Sequence, residues 1–188
     1  MAVTASRPIR ADAARNRDAI IAAARAAFDR GEFDRRFDDF APLAGVGTGT
    51  LYRHFPTREA LAEAVYRGEV AALRDRARDA LDTEPAARAL ATFLTGYVHL
   101  LTTEAGLAAT LAALLRHRPD VQAEGALALE EAVAELVAAA VADGGVASEL
   151  TAGAVLMALH GISASVGRPG WEADAEALVA VLGRSSGQ

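Results

Sequence analysis

The run Gly45-Val46-Gly47-Thr48-Gly49-Thr50-Leu51-Tyr52-Arg53-His54-Phe55-Pro56 leaves the backbone few paths. A left-handed conformation at Gly45 can end one helix, and Gly47 or Thr48 can cap the next. Pro56 forces that next helix to stop within about two turns. On a wheel of about 100° per residue, Leu51 and Phe55 form an inward i, i+4 pair, and Thr50 and Arg53 point away from it. Tyr52 and His54 fall on the flanks. Gly49, on the outer side, leaves the backbone bare, so that a groove or a phosphate can come close.

The residues before this turn are patterned to support it. Ile20, Ala24, Ala27 and Phe28 make an amphipathic stripe that Gly31 ends, and Phe37, Phe40, Ala41 and Ala44 give a second helix of about two turns. Two short helices joined by a glycine turn read as a helix-turn-helix. Pro42 is expected to kink or shorten the second helix, at about 3 kcal/mol if it lies in an ordinary helix interior. Arg35 and Arg36 ahead of this helix offer no capping hydroxyl, so its start is expected to fray, with Asp38 and Asp39 offsetting part of the loss through the helix dipole.

From about Asp12 to Val70 the chain resembles the DNA-binding domain of TetR-family transcriptional regulators. The resemblance rests on the run Gly45 to Leu61, preceded by Ile20-Ile21-Ala22-Ala23-Ala24 and Phe28. It implies an all-α protein. A three-helix helix-turn-helix domain would occupy residues 1–60, and a larger helical domain that dimerises and often binds a small effector would occupy 61–188. Arg35, Arg36 and Pro42 depart from the family pattern. As DNA contacts the resemblance and the wheel together nominate Thr48, Thr50 and Arg53 for base edges, with Gly49 allowing close approach. Tyr52, His54, Thr57 and Arg58 are nominated for phosphates. Thr57 can cap the following helix, whose free amides lie at its positive end. Arg7, Arg10, Arg15 and Arg17 fit either an arm reaching a minor groove or a solvated tail.

Charge is divided along the chain. The first 60 residues hold ten Arg and eight acids, a net of +2, whereas the remainder holds nine Arg and seventeen acids, a net of −8. Non-specific attraction to phosphate should therefore be weak and salt-sensitive, and binding should depend on a few directed contacts. All cations are Arg, which suits bidentate contacts but equally reflects a biased base composition.

Beyond the head, helical periodicity runs from about Arg58 to Leu81, Ala86 to Thr103, Glu104 to Leu115, Val121 to Ala142, Glu149 to Ser165 and Glu172 to Arg184. Pro85, Pro119, Gly144-Gly145 and Pro169-Gly170 are the breaks. Phe93, Tyr97, His99, Met157 and His160 are candidates to line an effector pocket, although the same residue types at helical spacing serve as ordinary core. In the last two helices Val155, Leu156, Leu159, Ile162, Leu178, Val179, Val181 and Leu182 demand burial, which points to a homodimer through helix packing. A dimer would set two heads about 34 to 36 Å apart, to read a palindromic operator in double-stranded DNA.

Other chemistry lacks its residues. There is no cysteine, the four histidines are scattered, and neither a phosphate-binding glycine loop nor a cluster of catalytic groups is present. No cofactor, metal site or enzymatic activity is expected, and without a membrane-spanning run or signal peptide the expected location is cytoplasmic. The expected function is a sequence-specific, DNA-binding transcriptional regulator, a repressor released by a small hydrophobic or amphipathic effector. The competing expectation is a helical ligand-binding or scaffolding protein whose head no longer binds DNA.

Overall fold

The structure is a computed structural model that describes residues 6–32 and 34–183, with side chains from Ala11 onward. The described residues are all-α. In chain order the elements are α1 (Ser6–Asp29), a short 3-10 turn (Phe37–Asp39), α2 (Phe40–Leu43), α3 (Thr48–His54), α4 (Arg58–Thr83), α5 (Ala86–Thr103), α6 (Ala105–Leu114), α7 (Pro119–Ala142), α8 (Ala152–Ser165) and α9 (Trp171–Leu182). The side chains of Arg7 and Arg10, proposed for an arm, lie outside the described residues; the backbone there is already part of α1.

Contacts divide the chain into two compact units. The first ends at Gly68 but also takes in Gly106–Val121; the second is Glu69–Ala105 together with the chain from Gln122 onward. The sequence pattern suggested a single boundary near residue 60. No composition shift marks the return of 106–121 to the first unit, because its tie is tertiary. Thr110, buried on α6, donates its hydroxyl at 3.0 Å to the carbonyl of Phe28, which also accepts from the Gly31 amide at the end of α1. Glu63 of α4 accepts from Arg67 at 2.5 Å and from Arg118 at 2.6 Å, and Arg118 also grips Asp120.

The first unit is built on large side chains. Ile20, Phe28, Phe40, Leu51 and Leu61 are fully buried, and Phe28 meets Phe40 edge-on with ring centroids 5.7 Å apart. Gly31 and Gly45 both take positive φ, 73° and 68°, as turns after helices require. Pro42 does not stop the helix: it is the third residue of α2, and Leu43 follows it. The second helix is nonetheless short, four residues continuing the 3-10 turn, and Arg36 before that turn supplies no side-chain cap.

The second unit has a mixed core that includes Phe93 and Trp171. Its core combines Leu90, Leu94, Leu136 and Leu159 with Ala77, Ala89, Ala132, Ala140 and Ala175, and α9 packs on α5 and α8. Pro85 and Thr151 precede α5 and α8, and α7, which begins in the first unit, opens with Pro119 at the first helical position, where its fixed φ is already helical. Gly170 takes φ 79° before α9. Among the described residues, no single helix is long and apolar enough to cross a membrane.

Candidate nucleic-acid interface

In the first unit a seven-residue helix, α3, is presented by its neighbours with its polar side outward. Gly47 is its N-cap, in extended conformation, and Phe55 breaks it at φ −136°, ψ 101°, the extended geometry that a following proline imposes. Leu51 and Phe55 anchor it, at 0% and 3% exposure. Thr48, Gly49, Tyr52 and Arg53 are exposed, while Thr50 and His54 are half-buried. Thr50 is thus less available than a wheel drawn for an isolated helix suggests, because both α1 and α2 pack against this short segment.

Arg53 is exposed and has no intramolecular partner among the described residues. An unpaired guanidinium on a rigid helix presents five donors in a fixed fork, the geometry that guanine or phosphate accepts in pairs. Other arginines of the head are already engaged. Arg30 and Arg35 both bind Glu32, at 2.8 and 2.5 Å, and their hydrogen bonds hold the Glu32 carboxyl below its ordinary range. Arg15 pairs with Asp12.

Arg17, considered for an arm, belongs to α1, where its guanidinium stacks 5.3 Å above the Phe55 ring. It lines an open cleft of about 460 Å3 together with His54, Glu63 and Arg67. Thr57 accepts from the Ala60 amide at 3.1 Å, the cap expected for α4, and Arg58 is the first helical residue after it.

Tyr52 is held by two neighbours. Its ring meets Phe37 edge-on, centroids 5.3 Å apart, and its hydroxyl bonds the Asp38 carboxylate. That hydrogen bond, then partial burial and the carboxylate charge, pushes the phenol above its ordinary value. Asp38 was legible only as a helix-dipole residue, since nothing in a linear pattern pairs it with a side chain across the turn.

Residues 20–65 match the family described as "Bacterial regulatory proteins, tetR family", and residues 84–184 match the domain described as "Transcriptional regulator SbtR-like, C-terminal domain". The chain belongs to the TetR family of transcriptional regulators. Two solved TetR-family structures share both sequence and fold with it. The regulator SCO0520 of Streptomyces coelicolor is 36% identical, with a TM-score of 0.72 over 91% of this chain and 99% of that one. A regulator from Mycobacterium vanbaalenii is 31% identical, with a TM-score of 0.72 over 93% and 99%. The fatty acid degradation regulator FadR of Bacillus halodurans, 18% identical with a TM-score of 0.69 over 88% and 93%, shares the fold. No curated protein matches the chain. This TetR-family member is a DNA-binding transcriptional regulator, and α3 is the second helix of its helix-turn-helix, the position from which such motifs read DNA.

The five effector-pocket candidates of this regulator do not converge. Phe93 and Tyr97 line a cleft of about 330 Å3 between α4 and α5, with Leu73, Arg76, Glu84 and Thr92. Tyr97 shares a hydrogen bond with Ser163 at 2.8 Å, so its hydroxyl is already paired. His99, Met157 and His160 are exposed and away from that cleft; Met157 is 76% exposed. Of the apolar residues expected to need a partner, Val155, Leu159, Ile162 and Val179 are buried within their own chain. Leu178 and Val181 are left outside, and Met157 joins them.

Proposed function

We propose that this regulator acts as a homodimeric repressor on a palindromic operator. Arg53 and Thr48 read base edges with support from Thr50, Gly49 admits the backbone, and His54, Thr57 and Arg58 hold phosphates. The observation that carries the assignment is the exposed, unpartnered Arg53 on a helix pinned by Leu51 and Phe55. Pre-positioning matters because the side chain then loses little freedom on binding.

Dimerisation is supported by the apolar side chains that α8 and α9 leave uncovered, Met157, Leu178 and Val181, interspersed with Ala and Gly that allow close helix approach. An effector, in this reading, enters the cleft beside Phe93 and Tyr97. Its walls combine apolar rings with Arg76, Asp79 and Glu84, which suits an amphipathic molecule.

Selection from random duplex DNA with the purified protein, followed by anisotropy titration at several salt concentrations, tests the proposal. The expected result is an enriched palindrome whose affinity falls steeply with salt. Arg53→Ala should then weaken binding about ten- to a hundredfold and relax base preference at one position of each half-site. If affinity and preference both survive the substitution, Arg53 is not the reader. Sedimentation of the free protein as a monomer at micromolar concentration would count against the dimer.

A further inference from the structure

The contacts of Tyr52 give it a role that its neighbours on α3 do not share. We infer that Tyr52 reads a base rather than a phosphate: its phenol oxygen offers lone pairs to an exocyclic amino group, cytosine N4 or adenine N6, in the major groove. The inference rests on α3 being the recognition helix.

The ring is braced from the core outward. Phe40 is fully buried, Phe37 packs edge-on against it at 6.3 Å, and Tyr52 packs edge-on against Phe37 at 5.3 Å. Tyr52 nevertheless remains 47% exposed, so it is an oriented side chain with an open edge.

Its proton is committed. The hydroxyl bonds Asp38, whose other carboxylate oxygen, Oδ1, is buried without a hydrogen bond among the described residues. Drawing the phenol proton away would leave that carboxylate still less satisfied, and an unpaired buried acceptor costs more than a made bond returns. A phosphate oxygen accepts and cannot donate, so it would have to compete with Asp38 for the same proton while also meeting its negative charge. The phenol oxygen keeps its lone pairs and can accept. In the major groove the base-edge donors are cytosine N4 and adenine N6.

The test uses the full-length protein and the duplex that it selects, together with every single-base replacement in one half-site, each titrated by anisotropy. Tyr52→Phe removes the oxygen and keeps the ring. It should reduce discrimination about three- to tenfold at one position that carries cytosine or adenine, with the other positions unchanged. Asp38→Ala frees the proton, so preference at that same position should broaden to guanine or thymine, which present acceptors. Asp38→Asn retains an accepting carbonyl and should keep the original preference, which also covers the case in which the alanine variant does not fold. Uniform weakening of Tyr52→Phe across all duplexes would mark a phosphate contact and overturn the inference, as would no change at all. Failure of the unmodified protein to enrich any duplex would instead overturn the recognition-helix reading beneath it.

Discussion

The two units of this regulator solve the same packing problem with different side chains. The first fills its interior with rings, Phe28, Phe40 and Phe55 against Ile20, Leu51 and Leu61, and so holds three short elements at fixed angles. The second relies mostly on aliphatic side chains, Leu, Val and Ala, around Phe93 and Trp171, and two of its glycines stand close against alanines. A Cβ added at Gly145 would lie 2.5 Å from the Ala87 Cβ, and one added at Gly183 would lie 3.3 Å from the Ala91 Cβ. A ring core gives a short helix such as α3 an orientation it could not hold alone, since seven residues are too few to be stable in isolation. An aliphatic core spread along long helices makes up in length what each smaller contact lacks.

The largest expected effect follows from removing a ring where rings do the orienting. Phe40→Ala should destabilise the first unit by about 3–5 kcal/mol, measured by urea unfolding, and should abolish binding to the selected duplex. Helical content in the second unit should survive, because Phe40 has no part in that core. Loss of both units together in a single transition would break the comparison.

Adding an atom probes close approach, which both units use. Gly106→Ala places a Cβ 2.0 Å from the Asp29 carbonyl oxygen, a backbone atom, in the first unit; Gly145→Ala places one 2.5 Å from the Ala87 side chain in the second. Each should cost about 1–3 kcal/mol as overpacking, Gly106→Ala the more, since a backbone carbonyl yields less readily than a side chain. The first substitution should also weaken DNA binding by disturbing the end of α1. Gly145→Ala should lower the melting temperature with operator affinity intact, both read by thermal unfolding and anisotropy.

The head was the more legible unit because its geometry is enforced locally. Gly45 has positive φ, Gly47 caps α3 and Phe55 is extended before Pro56, each through constraints that one or two residues impose by themselves. Pro42 shows the limit of local reasoning. The residue was evident, but its cost depended on whether it fell in the first turn or the interior, a matter of one or two positions. In the body, helix limits could be read from Pro85, Pro119 and Gly170, whereas facing could not. With alanine on every side of α8, periodicity does not distinguish Met157, which is exposed, from Leu159, which is buried. The pairing of Tyr52 with Asp38 and the return of residues 106–121 to the first unit are tertiary facts, and spacing along a chain carries neither.

The smallest expected effect is the best controlled, because the two units contain the same device. Thr57 caps α4 by accepting from Ala60 N at 3.1 Å, and Thr151 caps α8 by accepting from Ala154 N at 3.1 Å. Both threonines are exposed, so replacing either with alanine should cost about 1 kcal/mol of stability through the cap alone. If Thr57 also holds a phosphate, Thr57→Ala should weaken operator binding several-fold beyond what its stability loss explains, and Thr151→Ala should leave binding unchanged at the same loss. Equal effects on binding would make Thr57 a cap and nothing more, and would move the phosphate contact of α4 to Arg58 and the backbone amides beside it.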